Sequence, residues 1–250
     1  MTRVVCLNGN MPVADTFAAL AKELSAEVTL ILKDREAYTR SPGEGLTLSD
    51  EVAGVCRAVD EADVTSFHLV GYSAGAVVAL AFSVSYPKWV KSLALIEPPW
   101  SGNDTLSAEA KASHGALDRV LSEVPLKERM AQFRQAIMLP GESPAPLPPG
   151  PIPAWASMRA AQGAMLWQAI RTATLEKERL RTFTAPVYVA VGTRSHPGFR
   201  ATAEELVALF PHAFLEVYEG ADHFEIHTQY VARLATSLRA LWAQEQIHKT

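Results

Sequence analysis

Six short apolar runs divide the chain, at residues 3–7, 27–32, 67–71, 92–96, 187–191 and 214–218. Each run is continuous rather than alternating, which is typical of strands that are buried on both faces. Helical patterns separate or follow these runs, at residues 16–24, 47–62, 74–86, 200–210 and 228–245. Strands that alternate with helices predict an α/β fold, here a six-stranded and mostly parallel sheet with helices on both faces.

One long interval, residues 98–185, interrupts this rhythm. It contains helical patterns at about 105–122, 125–138 and 153–175, but no convincing strand. The proline-rich stretch "LPGESPAPLPPGPIP", residues 139–153, lies between two of these patterns. We therefore predict an inserted helical cap over residues 99–183, with the core formed by residues 1–98 and 184–250.

Composition and charge indicate which partners the protein can bind and in which cellular compartment it is expected. The net charge of −4 gives no electrostatic footprint for nucleic acid. No apolar stretch reaches the ~18 residues of a membrane span, and the N-terminal apolar run is too short for a signal peptide. Cys6 and Cys56 form no disulfide framework and are expected to be free thiols. These features predict a cytoplasmic protein, a monomer or a homodimer, with neither nucleic-acid nor membrane partners.

The pentapeptide "GYSAG" places Ser73 between two glycines, directly after a strand and directly before a helix. This context is that of a nucleophile elbow, in which small residues two positions to either side let the strand and the helix approach each other. The serine hydroxyl then stands at the carboxyl end of the sheet. The amide of Ala74, at the start of the helix, is predicted to donate a hydrogen bond to an oxyanion.

With this motif, nearly the whole chain resembles the cap-bearing α/β-hydrolase family. The family's N-terminal hairpin is missing, which implies a shortened sheet. The resemblance implies a second oxyanion amide from the loop after the first strand, where "LNGNMP" replaces the usual His-Gly. Asn10 is the predicted donor and Met11 the alternative. The glycines that usually follow the next strand are absent from "DREAYTRS", so Asp34 and Ser41 are expected to be structural.

The resemblance and the chain order also imply a base and an acid. His223, in "YEGADHF" just after the last strand, is the predicted base. The family usually carries its acid at the position that Ser195 occupies here. Glu97 ends the strand after the nucleophile helix, as the acid does in haloalkane dehalogenases and zearalenone lactonases, and it is the predicted acid. Asp222 is the alternative, as is a site with no acid in which Ser195 or water orients the ring.

The pocket is expected to be apolar and to lie between cap and sheet. The residues predicted to contact substrate are Met11, Tyr72, Trp100, Trp155, Met158, Trp167 and Phe199. The cap arginines 134, 159 and 171 are expected to lie on solvated faces. No metal-ligand cluster or dinucleotide glycine motif is apparent, so no cofactor and no metal are predicted.

These residues predict a serine hydrolase that cleaves an ester or lactone bond of a hydrophobic, uncharged substrate through an acyl-enzyme. A serine nucleophile argues against dehalogenase and epoxide-hydrolase chemistry, which uses a carboxylate. Two alternatives stay open. One is a hydrolase of the same fold that cleaves a carbon–carbon bond next to a ketone. The other is a non-hydrolytic cyclase or binding protein that uses the same pocket.

Overall fold

A six-stranded sheet forms the centre of the protein. The computed structural model describes residues 1–24, 28–41, 43–104, 106–146 and 154–247. The strands are β1 Thr2–Leu7, β2 Val28–Lys33, β3 Phe67–Tyr72, β4 Val90–Ile96, β5 Val187–Gly192 and β6 Ala213–Tyr218. Their order across the sheet is β2-β1-β3-β4-β5-β6, and every neighbouring pair is parallel. The predicted α/β architecture is confirmed, and the sheet is wholly parallel.

Helices cover both faces of this sheet. They are α1 Val13–Leu24, α2 Leu48–Glu61, α3 Ala74–Ser85, α4 Ala108–Ser122, α5 Leu126–Ala136, α6 Ala154–Thr172, α7 Lys177–Arg181, α8 Pro197–Leu209 and α9 Val231–Ile247. Apolar residues of α1 and α9 pack on one face, and those of α2, α3 and α8 pack on the other. Within the described ranges, no helix combines the length and the apolar character needed to cross a bilayer.

Alternate residues along each strand supply these two cores. Val5 and Leu7 of β1 belong to the core beneath α3, whereas Val4 and Cys6 belong to the core beneath α1. All four side chains are fully buried. For the inner strands β1, β3, β4 and β5, the continuous apolar runs reflect burial on both faces, as predicted. The edge strands β2 and β6 differ, because their side chains are mostly half-buried and Leu32 and Phe214 are exposed.

Within the described residues, the chain between β4 and β5 contains the four helices α4 to α7. Helix α4 packs against α5, α6 and α8, and α6 also contacts the short 3₁₀ helix Glu36–Thr39 that follows β2. The helical pattern predicted over 153–175 corresponds to α6, Ala154–Thr172, whereas the short helix α7, Lys177–Arg181, lies beyond that range and was not predicted. Residues 147–153 of the proline-rich stretch lie outside the described residues. The division into a core and a cap stays a prediction.

Candidate active site

The turn between β3 and α3 holds Ser73 in an unusual backbone conformation. Its φ of 55° and ψ of −125° lie outside the regions that side-chain-bearing residues prefer. The two flanking glycines make this turn possible. A Cβ atom on Gly75 would lie 2.1 Å from the carbonyl oxygen of Leu7, and one on Gly71 would lie 2.5 Å from that of Gly75. Close backbone packing therefore fixes the serine at the strand end.

His223 lies between Ser73 and Glu97. Its Nε2 is 3.1 Å from the Ser73 hydroxyl, and its Nδ1 is 3.0 Å from Glu97 Oε2. The imidazole and the carboxylate are buried, whereas Ser73 is partly exposed. The structure thus brings together the three residues predicted as nucleophile, base and acid, in a chain of two hydrogen bonds.

The second carboxylate oxygen of Glu97 is also bonded. Oε1 accepts hydrogen bonds from the Gly192 amide at 2.6 Å and from the Ser195 hydroxyl at 2.9 Å. Glu97 itself has a positive φ of 52° at the end of β4. Because its charge would otherwise be buried without compensation, these donors are what makes an ionised carboxylate tolerable there.

Asp222, the alternative acid, is engaged elsewhere. Its Oδ1 accepts a 2.8 Å hydrogen bond from the amide of Phe224. Its own amide donates to Glu225 Oε2 at 2.9 Å. Burial raises the pKa of the Asp222 carboxyl. The side chain thus braces the turn that carries His223.

Aromatic rings hold the His223 side chain in place. The Phe199 ring lies 4.8 Å from the imidazole, centroid to centroid, and the Tyr72 ring lies 5.3 Å away. The Tyr72 hydroxyl also donates a 2.9 Å hydrogen bond to the His223 carbonyl. Behind Tyr72, burial lowers the pKa of His227 to about 3, assisted by the nearby His223. Tyr72 therefore supports the imidazole from beneath and is buried away from the pocket.

The loop after β1 lies directly beside Ser73. A Cβ on Gly9 would be 3.0 Å from the Ser73 Cβ, so this peptide approaches the nucleophile closely. The Tyr38 hydroxyl donates to Asn10 Oδ1 at 2.8 Å, and Arg159 of α6 donates to the Asn10 carbonyl at 3.1 Å. Arg159 also pairs with Asp34. Asp34 thus has a structural contact, and the loop is held by the helices between β4 and β5.

A second connection joins the segment between β4 and β5 to the residues around Glu97. The Leu139 amide donates to the Arg194 carbonyl at 2.8 Å, and the His196 amide donates to the Ile137 carbonyl at 2.9 Å. Met138 and Ser195 form the antiparallel bridge between these bonds. Because Ser195 donates to Glu97, the segment after α5 fixes the position of a residue that contacts the acid.

An apolar cavity of about 430 Å³, counting the space open to solvent at its mouth, opens beside Ser73. Its walls come from the Ser73 turn, the Asn10 loop and α4, α5, α6 and α8. The lining residues are Asn10, Ser73, Ala74, Pro99, Leu117, Leu121, Phe133, Ile137, Gly163, Leu166, Trp167, Ile170 and Phe199. No charged side chain is among these described lining residues.

Two of the residues predicted to contact substrate, Trp167 and Phe199, line this cavity. Trp100 is fully buried, with its indole N–H bonded to Asn103 Oδ1 at 3.0 Å, so it packs within the core. Met158 is 55% exposed and lies away from the cavity. For Tyr72, Trp100 and Met158, the predicted substrate contact is therefore corrected.

Met11 and Trp155 are also outside the set of cavity-lining residues. Both are partly buried. The Met11 carbonyl accepts a hydrogen bond from the Asn8 side chain, which closes the loop after β1. The Trp155 ring lies 5.9 Å from the guanidinium of Arg159. Met11 thus contacts the loop after β1, and Trp155 contacts Arg159, whereas neither residue lines the cavity beside Ser73.

The cap arginines were expected on solvated faces, and this is wrong for Arg159. Its side chain is buried, and its guanidinium lies 4.0 Å above the Tyr38 ring. Arg134 lies 5.5 Å above the Phe224 ring, and Arg171 contacts Asp118 at 3.3 Å. Sequence reasoning missed Arg159 because its partner, Asp34, lies 125 positions away in the chain.

Comparisons with known proteins agree with this architecture. No curated protein sequence matches the chain. Among solved structures, an esterase from Exiguobacterium antarcticum superposes with a TM-score of 0.76 at 17% sequence identity. The superposition covers 97% of this chain and 92% of the esterase chain. A thermophilic esterase from Thermogutta terrifontis has a TM-score of 0.69 at 20% identity, covering 98% and 90%. These likenesses show the fold.

The family assignment comes from the sequence profile described as "Alpha/beta hydrolase family", which matches residues 4–236. The match includes Ser73, Glu97 and His223, and it extends over most of the chain. The chain therefore belongs to the α/β hydrolase family.

Proposed function

We propose that the protein is a serine hydrolase that cleaves an ester or lactone bond through an acyl-enzyme. The observation that carries this proposal is the hydrogen-bonded chain from Ser73 through His223 to Glu97. A serine hydroxyl is a weak nucleophile unless a base takes its proton, and His223 is within hydrogen-bond reach of it. The partial exposure of Ser73 leaves it accessible to a substrate carbonyl.

In this mechanism the Ser73 oxygen attacks the carbonyl carbon while His223 accepts the serine proton at Nε2. The imidazolium then protonates the leaving alkoxide, and the acyl group stays on Ser73. His223 next takes a proton from water, whose oxygen attacks the acyl-enzyme, and then returns that proton to the Ser73 oxygen as the acid is released. For a lactone, the leaving alkoxide and the acyl group are the two ends of one molecule, so a single hydroxy acid is released.

Glu97 stabilises the positive charge that forms on His223 and keeps the ring oriented toward Ser73. The hydrogen bonds from Gly192 and Ser195 to Oε1 support an ionised carboxylate with its Oε2 directed at the imidazole. This role needs a charge. A neutral hydroxyl at the Ser195 position could orient the ring without stabilising the imidazolium.

The oxyanion would be held by the amides of Ala74 and Asn10. Ala74 is the first residue of α3, where the N–H groups of a helix have no intrahelical acceptor. The Gly9–Asn10 peptide approaches Ser73 from the other side, and Asn10 and Ala74 both line the cavity. Two amides beside the nucleophile are what a tetrahedral intermediate requires.

The apolar cavity favours a substrate with a hydrophobic acyl arm. Fluorophosphonate labelling followed by intact-mass spectrometry tests the proposal. We expect one adduct on the wild type, none on Ser73→Ala and much slower labelling of Glu97→Gln. Hydrolysis of a panel of esters and lactones then separates those two activities. An unlabelled wild type would overturn the serine-hydrolase mechanism and favour the cyclase or binding alternative, while activity only on a vinylogous diketone would favour carbon–carbon cleavage.

A further inference from the structure

A second, smaller cavity adjoins the one beside Ser73. It measures about 240 Å³, counting the space open to solvent. The two cavities share Asn10, Leu121, Phe133 and Gly163 as lining residues. They differ in chemistry, because the second is also lined by Arg129 and Arg159. Arg159 is buried and Arg129 is partly buried. Arg129 and Arg159 therefore line a space that adjoins the cavity beside Ser73, with Asn10 on the shared wall.

Only one of these guanidinium groups is neutralised by the protein. Arg159 forms an ion pair with Asp34. In the part of the chain that the structure describes, Arg129 forms no ion pair, and neither cavity is lined by an Asp or Glu side chain. Among the residues that the structure describes, the positive charge of Arg129 therefore has no carboxylate counter-charge in the second cavity.

The three hydrogen bonds of the Arg129 guanidinium use only some of its N–H donors. Nε and Nη2 donate to the Val124 carbonyl at 3.2 and 3.0 Å, and Nη1 donates to the Ala160 carbonyl at 3.3 Å. A guanidinium has five N–H donors, one on Nε and two on each terminal nitrogen. One donor on Nη1 and one on Nη2 are therefore left. These two donors can form charge-assisted hydrogen bonds to a carboxylate.

We propose that the second cavity binds a carboxylate on the acyl arm of the substrate, with Arg129 as its partner. This inference rests on the proposed function and names its substrate class, the half-esters of dicarboxylic acids with an apolar spacer. The apolar wall beside Ser73 holds the spacer, and Arg129 holds the far end. The substrate then has one charge, in place of the uncharged molecule that the sequence predicts.

Binding is measured by calorimetry in the Ser73→Ala background, so that no turnover intervenes. The probes are 4-nitrophenyl hydrogen adipate and its neutral counterpart, 4-nitrophenyl methyl adipate. We expect the anionic probe to bind about 10-fold or more tightly than the neutral one, as a charge-assisted bidentate pair would give. Arg129→Gln should abolish this preference, and Arg129→Lys should retain part of it.

Lys127→Gln provides the matched control. It removes the same charge from the same helix, and the Lys127 side chain is 83% exposed. It should leave the preference unchanged, which separates a local contact from the overall field of the protein. Binding of the neutral probe by Arg129→Gln reports whether the fold and the apolar wall are intact.

Equal affinity for the two probes, or a preference that survives in Arg129→Gln, would overturn the proposed site. The proposed function is tested separately, by wild-type hydrolysis of the anionic and the neutral probe. If that hydrolysis is absent while the charge preference depends on Arg129, the anion site stands and the hydrolase proposal fails.

Discussion

The Ser195 hydroxyl donates a 2.9 Å hydrogen bond to Glu97 Oε1, across the ends of two neighbouring strands. In the family that the chain resembles, the acid usually occupies the position of Ser195. Here a neutral side chain at that position supports a carboxylate that comes from the adjacent strand. The two residues therefore form one unit, in which the Ser195 hydroxyl helps to hold the Glu97 carboxylate in position.

Removing the charge of Glu97 should be far more damaging than removing the hydroxyl of Ser195. Glu97→Gln should lower kcat by about 10³-fold or more, because nothing then stabilises the imidazolium of His223. Ser195→Ala should lower kcat by only about 10-fold, since the Gly192 amide still binds Oε1. Steady-state kinetics on one ester measure both effects. A similar loss in the two variants would contradict the assignment of Glu97 as the acid.

A carboxylate placed at the Ser195 position should replace the one on Glu97. Because the Ser195 hydroxyl already touches Glu97, the double variant Glu97→Gln, Ser195→Asp restores a negative charge near His223. We expect kcat to recover at least about 10-fold over Glu97→Gln alone, as an ionised partner returns to the imidazole. Glu97→Gln, Ser195→Asn is the matched uncharged control. Equal activity of the two double variants would show that charge at this position has no access to His223.

The turn around Ser73 should tolerate no added methyl group at Gly75. A Cβ there would lie 2.1 Å from a backbone oxygen, and the backbone of β1 has no room to move. Gly75→Ala should therefore cost about 3 kcal/mol or more in the free energy of unfolding, as overpacking against backbone does. Gly115→Ala in α4 is the control, because its methyl group meets open space. This helical change should stabilise by up to about 1 kcal/mol. Chemical denaturation of both variants checks the contrast.

The length of the acyl arm should depend on Ile170. Ile170→Ala removes three carbons from the cavity wall. Because one methylene fills roughly the space of one lost carbon, the ester with the highest kcat/KM should shift to a chain up to about three carbons longer. Ile226→Ala removes the same atoms from the opposite core. Both variants should lose about 2–5 kcal/mol of stability, but only the first should change chain-length preference. A shift in both variants would point to a general loosening of the structure.

His227 should make the fold sensitive to acid. Burial lowers its pKa from 6.5 to about 3, so below pH 6.5 the unfolded chain binds a proton that the native state does not bind. The free energy of unfolding therefore falls as the pH drops from 6.5 toward 3, and it is unaffected by this group at higher pH. His227→Phe retains a ring against Tyr72. Its loss of stability between pH 7 and pH 5 should be smaller than that of the wild type by about 2 kcal/mol.

Urea denaturation at the two pH values measures this difference. His212→Gln, at an exposed position, is the control and should retain the wild-type dependence on pH. An unchanged dependence in His227→Phe would assign the acid sensitivity to other groups.

The sequence was most informative where one local pattern determines one position. Continuous apolar runs predicted all six strands to within about two residues at each end, which is the usual uncertainty of such boundaries. Ser73, Glu97 and His223 each stand at the end of a strand, so a parallel sheet places them at one edge. That these three residues lie close together could therefore be predicted without any knowledge of side-chain packing.

The walls of the pocket depend instead on how α6 is rotated, which the sequence left open. Gly163, Trp167 and Ile170 share the face that lines the cavity, while Met158 is exposed. Both faces of this helix carry apolar residues, so periodicity alone favoured neither. The burial of Arg159 could not be predicted from the sequence either, because it depends on a tertiary contact with Asp34.

The antiparallel bridge between Met138 and Ser195 limits how freely this protein can exchange its segment between β4 and β5 for that of a relative. In a chimaera, a foreign segment between β4 and β5 would bring a new substrate wall. It would also have to supply a backbone partner for residues 194–196, or the support of Glu97 would be lost along with the old specificity. A change in the segment between β4 and β5 that alters substrate preference can therefore also alter the support of the proposed acid, Glu97.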